Sequence, residues 1–233
     1  MYSLIKMKKF FLILVAGSIL AVGNGFRMSL GIYVPDLLTS TVFGASAIGL
    51  TYGIFNLMWG SMSPIAGAFA EQKGYVKTFF IGFIGVSLSF YVTSLAITPI
   101  HFLLGLGLIG GISAGVISVP VVIGGVSKYF DDDKSRSTVT GILMSIAASG
   151  MFIFTPINQY LVSAFGWSLS FQIVAFFYLL FIPMAFIFLL KKPEPKVKKK
   201  LTERRILDVV TFAFKDKSYR YLILGFFLFV VCT

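Results

Sequence analysis

Gly67-Ala68-Phe69-Ala70-Glu71-Gln72-Lys73-Gly74-Tyr75-Val76-Lys77 separates two apolar runs, Ala47–Ala70 and Thr78–Ala96. Each run is near or above the roughly 20 residues that carry an α-helix across a 30 Å hydrocarbon layer. A short polar interval with Glu71, Lys73 and Lys77 between two such runs reads as a turn at one face of a bilayer.

Working outward, the same pattern recurs. Apolar spans are expected at Phe10–Pro35, Ala47–Ala70, Thr78–Ala96, Phe102–Val126, Thr138–Leu161 and Ser170–Leu190. Of the 233 residues, 57% are hydrophobic and 12% charged, where a soluble domain carries about 25% charged residues. The 26 Phe and 23 Gly suit lipid-facing helices that approach their neighbours closely. The predicted fold is an all-α membrane protein, with residues 1–190 forming a six-helix bundle. Residues 191–220 form a basic connector, closed off from the sixth helix by Pro193 and Pro195. Within it, Leu201–Phe214 reads either as a short helix on the membrane surface or as a solvated linker. A seventh apolar run starts at Tyr221 and reaches Thr233, too short to span, so residues 221–233 are expected to be the start of a seventh helix and the chain a fragment.

Charge placement gives the topology. The chain has 20 Lys and Arg against 9 Asp and Glu. Lys6, Lys8 and Lys9 precede the first span; Lys73 and Lys77 follow the second; Lys128, Lys134 and Arg136 follow the fourth. The rest, apart from Arg27, follow the sixth, from Lys191 to Arg220. The alternate connections, Asp36–Ser46, Ile97–His101 and Val162–Leu169, carry none. The positive-inside rule makes the basic side cytoplasmic, N-terminus included. The net charge of +11 is therefore topogenic and faces lipid headgroups, and nucleic acid is excluded as its partner. A cleaved leader ending at Ala21-Val22-Gly23 competes for the N-terminus, but the apolar pattern continues past it to Pro35. An energised bacterial inner membrane is the expected location.

Chemistry-bearing clusters are scarce. The single cysteine, Cys232, excludes an internal disulfide framework, and His101 has no Cys, Asp or Glu nearby. Asp131-Asp132-Asp133 lies beside Lys134 and Arg136 and reads as a solvated cluster that pairs locally. Gly105-x-Gly107-x-x-Gly110 imitates a nucleotide-binding turn, but no strand precedes it. The expectation is a protein that is not an enzyme, with no metal and no cofactor.

Polar residues inside spans are costly and so informative. On the first helix Gly17, Asn24, Arg27 and Gly31 share one face. Arg27 costs about 2.5–3.5 kcal/mol in hydrocarbon, and is expected either to face a watery cavity, binding a carboxylate as a fork, or to snorkel to the interface. On the second helix Tyr52, Asn56, Trp59 and Ser63 follow i, i+4, i+7, i+11, as a solute site or a helix interface would. Gly105, Gly107, Gly110, Gly111 and Gly115 on the fourth read as close packing. On the fifth, Thr138, Gly141, Ser145 and Ser149 form a small polar face, with Gly150 and Pro156 as a place to bend. The candidate substrate-binding residues are Arg27, Asn24, Tyr52, Asn56, Trp59, Ser145 and Ser149.

The opening stretch resembles the signature of the major facilitator superfamily, a G-x-x-x-(D/E)-x-x-G turn with basic residues. Gly67, Glu71, Gly74 and Lys77 then become the gating motif. Gly67 would let two helices approach, Glu71 would cap or pair across the cytoplasmic gate, and Gly74 would allow the reversal. Glu71 stands where Asp is usual, and Gln72 where a basic residue is usual. The segment Gly25-Phe26-Arg27-x-Ser29-x-Gly31-x-Tyr33-x-Pro35 is similar to the first helix of the monocarboxylate-transporter-like branch. Tyr129-Phe130, Gly141, Gly150 and Pro156-x-x-Gln159-x-Leu161-x-x-x-Phe165-Gly166-Trp167 resemble its fifth helix and the turn beyond. Departures are the missing acidic residue of the first-helix motif, Ile146 in place of a small residue, and the longer, more acidic loop Asp131–Arg136.

The resemblance implies one half of a twelve-helix secondary transporter working by alternating access. It implies a small carboxylate as solute, moved with a proton or exchanged, a role for Arg27 in handling the anion, and a second six-helix half as partner. Another solute class (drug, sugar or nucleoside) and a non-transporting membrane scaffold are the alternatives.

Overall fold

The structure is a computed structural model that describes residues 2–40, 43–130 and 132–186. Every regular element among them is helical. The connector and seventh helix expected at 191–220 and 221–233 lie outside the described residues.

The first span is a continuous helical path: α1 (Tyr2–Met28), a 3-10 stretch Ser29–Tyr33, and α2 (Val34–Ser40). Pro35 falls in the first turn of α2, where its missing N–H costs nothing. The second span is α3 (Ala45–Lys73) and the third α4 (Tyr75–Ser94). Only Gly74 separates them. Its φ of 97° is a left-handed conformation that glycine adopts without a Cβ penalty, and its N–H closes α3 on the Ala70 carbonyl.

The fourth span is broken rather than uniform. It runs through α5 (Pro99–Phe102), a π-helical stretch Leu103–Gly110, α6 (Gly111–Val116) and α7 (Val119–Ser127). Between α6 and α7, Ile117 (φ −101°, ψ 24°) and Ser118 (φ −70°, ψ 159°) leave helical geometry. Pro120 explains the site of the break, since it cannot donate within α7 and is tolerated only at a helix start. The fifth and sixth spans together form α8 (Asp133–Leu180), followed by α9 (Ile182–Ala185). At 48 residues, α8 is about twice the length needed to cross a bilayer. Gly166, at φ 72° and ψ 173°, parts it into two, whereas Gly150 and Pro156 sit within the helical run.

Four helical stretches among the described residues are long and apolar enough to cross a membrane, the last of them containing this Gly166 kink. α3 has the length, 29 residues, but its Tyr52, Asn56, Ser61 and Ser63 dilute its apolar character. The most polar span is the one expected to line a site.

Small residues bring the helices together, as lipid supplies little hydrophobic drive between them. A Cβ on Gly150 would collide with the backbone of Ala21, and one on Gly25 would stand 2.7 Å from the Gly150 carbonyl oxygen. These contacts lock α1 onto the fifth-span half of α8. Cβ atoms on Gly111 and Gly115 would meet the Phe55 and Trp59 carbonyls at 2.6 and 2.8 Å, so the glycines of the fourth span are packing residues against α3. Gly67 differs from its expectation: no atom lies within 4 Å of the Cβ position there. It is therefore no close-approach glycine among the described residues; the packed face of α3 at that turn is carried by Ala66 and Ala70, both buried, and Gly67 stands beside it.

Two polar ties complete the core. Tyr33 hydroxyl donates to Asn158 Oδ1 at 3.0 Å, Asn158 Nδ2 donates to Ser29 Oγ, and Ser29 Oγ donates to the Gly25 carbonyl. Exposures of 1%, 0% and 2% for Tyr33, Asn158 and Ser29 leave no water to replace these bonds, which is why all are made. At the other tie, the Trp167 N–H donates to Asp36 Oδ2 at 2.8 Å.

Candidate functional site

Arg27 projects from the first span toward α3. Its Nη1 donates to Asn56 Oδ1 at 3.3 Å and its Nη2 to Asn24 Oδ1 at 3.3 Å. The guanidinium lies 4.2 Å from the centroid of the Trp59 ring, a cation–π contact that partly repays lost hydration. Asn24, Arg27, Asn56 and Trp59 thus meet in one place. Among the described residues no carboxylate lies within ion-pair distance of Arg27, the ion pairs being Glu71–Lys128 and Asp133–Arg136. A guanidinium carries five N–H hydrogens. Two go to the asparagines and a third, on Nη2, to Met28 Sδ at 3.7 Å, a weak acceptor that a carboxylate arriving as a bidentate partner would displace.

Beside it opens a cavity of about 30 Å³ lined by Asn24, Arg27, Trp59, Ser89, Phe90 and Ser118 among others. One water needs roughly 10–15 Å³ of such space, so the cavity holds two or three waters beside the guanidinium. The break in the fourth span borders this cavity through Ile117, Ser118 and Val119. Ser118 Oγ lies 2.7 Å from Ser63 Oγ, tying the break to α3.

The other sequence candidates are placed differently. Tyr52 hydroxyl donates to the Leu30 carbonyl at 2.8 Å, bracing α3 against the 3-10 stretch. Ser145 and Ser149 are exposed on α8 and donate to the Gly141 and Ser145 carbonyls of their own helix. They are not joined to the Arg27 cluster. Ala147, between them in sequence, is: its carbonyl accepts from Asn24 Nδ2 at 3.1 Å.

At the basic face, Glu71 Oε1 and Lys128 Nζ are 3.6 Å apart, and Lys128 also sits 4.9 Å from the Tyr75 ring centroid. The pair joins the α3–α4 turn to the end of α7. Lys77 is exposed. The acidic loop is used locally: Asp132 caps α8 by accepting from the Ser135 N–H at 2.8 Å, and Asp133 pairs with Arg136. That backbone N–H, together with the Ser135 side chain, holds the Asp132 carboxyl below its ordinary pKa. His101 is half-buried, its own N–H taken by Thr98 Oγ1.

Sequence reasoning missed Asn158 and Asp36. Asn158 had a detectable signal, since it continues the stripe Ala147, Gly150, Phe154 at helical spacing. Asp36 had none, because its partner is 131 residues away.

Packed apolar spans, a polar cluster inside them and a basic face define a multi-pass membrane protein. The chain matches the Major Facilitator Superfamily over residues 13–233, and it belongs to that family, with the family's all-α membrane fold. It is similar to "Monocarboxylate transporter 11" of Mus musculus, 26% identical over 143 residues, covering 61% of this chain and 31% of the relative. "Monocarboxylate transporter 14" of Homo sapiens is 27% identical over 146 residues, 61% of this chain and 28% of the relative. "Hexuronate transporter" of Bacillus subtilis (strain 168) is 25% identical over 215 residues, 87% of this chain and 49% of the relative. The chain thus spans less than half the length of these relatives. A relationship to monocarboxylate transporters is established, and the relatives are transporters rather than enzymes.

Proposed function

We propose that the protein is a secondary active transporter of small organic anions, with Arg27 as the residue that engages the solute's carboxylate. The observation that carries this reading is a guanidinium inside a membrane span, steadied by two neutral amides and an indole, with no carboxylate partner among the described residues. A half-buried charge inside a membrane span without a counter-ion is expensive, and a carboxylate solute would supply the missing partner. The names of the relatives, monocarboxylate and hexuronate transporters, denote carboxylates and favour the same class.

Transport by alternating access would require a second six-helix half, proton coupling or exchange supplying the driving force. Glu71 and Lys128, with Gly67, Gly74 and Lys77 in the same turn, would form part of the cytoplasmic gate. In a bacterial inner membrane the N-terminus would face the cytoplasm. The connector at 191–220 would join the halves there. Within this reading a sugar acid stands beside a short monocarboxylate, because the hexuronate transporter matches 87% of the chain.

The test is uptake of labelled monocarboxylates and hexuronates by proteoliposomes of the full-length protein. Losing a charge-assisted hydrogen bond costs about 1.5–3 kcal/mol, so Arg27→Gln should cut uptake roughly ten- to hundredfold. Uptake unchanged by this substitution would remove Arg27 from the pathway.

A further inference from the structure

Asn24 and Asn56 offer less to a solute than their place in the cluster implies. Each amide has an oxygen with two lone pairs and an NH₂ with two hydrogens. In both residues each end is already engaged once, which fixes the side chain and leaves a solute only the second hydrogen and lone pair. Asn24 Nδ2 donates to the Ala147 carbonyl on α8, and its Oδ1 accepts from Arg27. Asn56 Nδ2 donates to the Tyr52 carbonyl one turn back, and its Oδ1 accepts from Arg27. The direction of each amide is forced. A backbone carbonyl requires the NH₂ on its side and a guanidinium requires the oxygen on the other, so the reverse flip would leave two clashing pairs.

We infer that Asn24 and Asn56 are positioning residues that aim the Arg27 guanidinium, rather than ligands of the solute. The inference rests on the reading of Arg27 as the anion site. Each asparagine is a bracket between helical backbone and one Nη of Arg27, and Trp59 closes one face of the same group. What remains open is the other face and an N–H edge met by the weak acceptor Met28 Sδ, so an anion must arrive in the plane of the guanidinium and displace that sulfur. The Asn24 bracket passes through α8, so the aim of Arg27 holds only while α1 and α8 keep their register. The Gly25–Gly150 and Gly150–Ala21 approaches fix that register.

Trp59 supplies a readout independent of transport. The chain has two tryptophans, and Trp167 lies away from the site, packed on Phe43 and Phe171. Trp167→Phe therefore leaves Trp59 as the one tryptophan of these 233 residues, and replacing by Phe every tryptophan that the full-length protein carries beyond them makes Trp59 the sole reporter in an active parent. In that parent, Arg27→Gln should move the Trp59 emission, and Asn24→Leu and Asn56→Leu should each move it in the same direction. Combined with Arg27→Gln they should add nothing. Asn56→Asp should hold the guanidinium on the indole and leave the emission near the parental value. It should nonetheless raise the KM for carboxylate uptake more than tenfold, because a fixed carboxylate then competes with the solute. Asn56→Leu should raise KM several-fold with little change in maximal rate, the pattern of lost ground-state binding.

Emission unmoved by both leucine variants would overturn the positioning role, and so would a KM effect that persists at full size alongside Arg27→Gln. If Arg27→Gln alone leaves uptake unchanged, the anion reading fails, while the emission series still decides whether the asparagines hold the guanidinium.

Discussion

The carboxylate of Asp36, at the end of the first span, accepts the backbone N–H of Trp167, where the sixth span begins. The acceptor that caps this helix thus comes from an element 131 residues earlier in the chain. Gly166 makes this possible, because its positive φ turns the chain so that the following N–H points outward. A negative group at a helix N-terminus is favoured both by the hydrogen bond and by the helix dipole.

Asp36→Ala should therefore destabilise the protein by about 0.5–2 kcal/mol, the usual range for a lost cap. Asp36→Asn, which keeps an oxygen acceptor, should lose less. Thermal unfolding in detergent followed through the aromatic signal of Trp167 would show it. Equal losses from Ala and Asn would mean that the charge, not the hydrogen bond, is what matters.

The Ser29–Asn158–Tyr33 network should be sensitive to partial removal. Asn158→Leu strands the Tyr33 hydroxyl and one Ser29 bond in a waterless core, at about 1–3 kcal/mol per stranded group. Adding Tyr33→Phe should recover part of that loss, since the stranded donor goes with it. A double variant less stable than Asn158→Leu alone would contradict this account.

Glycine substitutions should separate contact from conformation. Gly150→Ala pushes a methyl into the Ala21 backbone and should cost about 1–3 kcal/mol, typical of overpacking. Gly67→Ala meets open space and should leave folding unchanged. Yield of monodisperse protein after membrane extraction is a sufficient comparison.

Acid should loosen the start of α8. The Ser135 N–H lowers the pKa of Asp132, so the cap is fully present above the unfolded carboxyl value of 3.8 and is lost as pH falls through the lower folded value. Amide exchange at Ser135 and Arg136, corrected for intrinsic rate, should quicken in that window. Asp132→Asn should remove the pH dependence. The Glu71–Lys128 pair gives a contrast: both side chains are well exposed, at 60% and 35%, and such pairs contribute about 0–1 kcal/mol. Glu71→Gln should leave stability nearly intact, so any change in transport rate would point to the gate.

How much of this was legible in the sequence depends on the range of the interaction involved. The spans and the basic face follow from runs of apolar residues and from Lys and Arg positions, both local quantities. The face shared by Asn24 and Arg27, and that shared by Asn56 and Trp59, follows from helical spacing. That these two faces meet is tertiary and was only an expectation. Ser145 and Ser149 illustrate the limit: spacing groups them correctly on α8, but the phase of the buried stripe, set by Ala147 and Gly150 against α1, turns them outward. The break at Ile117–Ser118 was visible only as Pro120, and the π-helical stretch before it had no local mark beyond its glycines.

Gly74 carries a mechanical consequence. With one residue between α3 and α4, there is no slack in which either helix can slide along the other. A tilt of α3, which bears Asn56 and Trp59, must be passed to α4 as displacement instead of being absorbed in a loop. The turn acts as a rigid crank between the polar cluster and the third span, and a tag of even a few residues spliced in at Gly74 would convert it into a slack coupling.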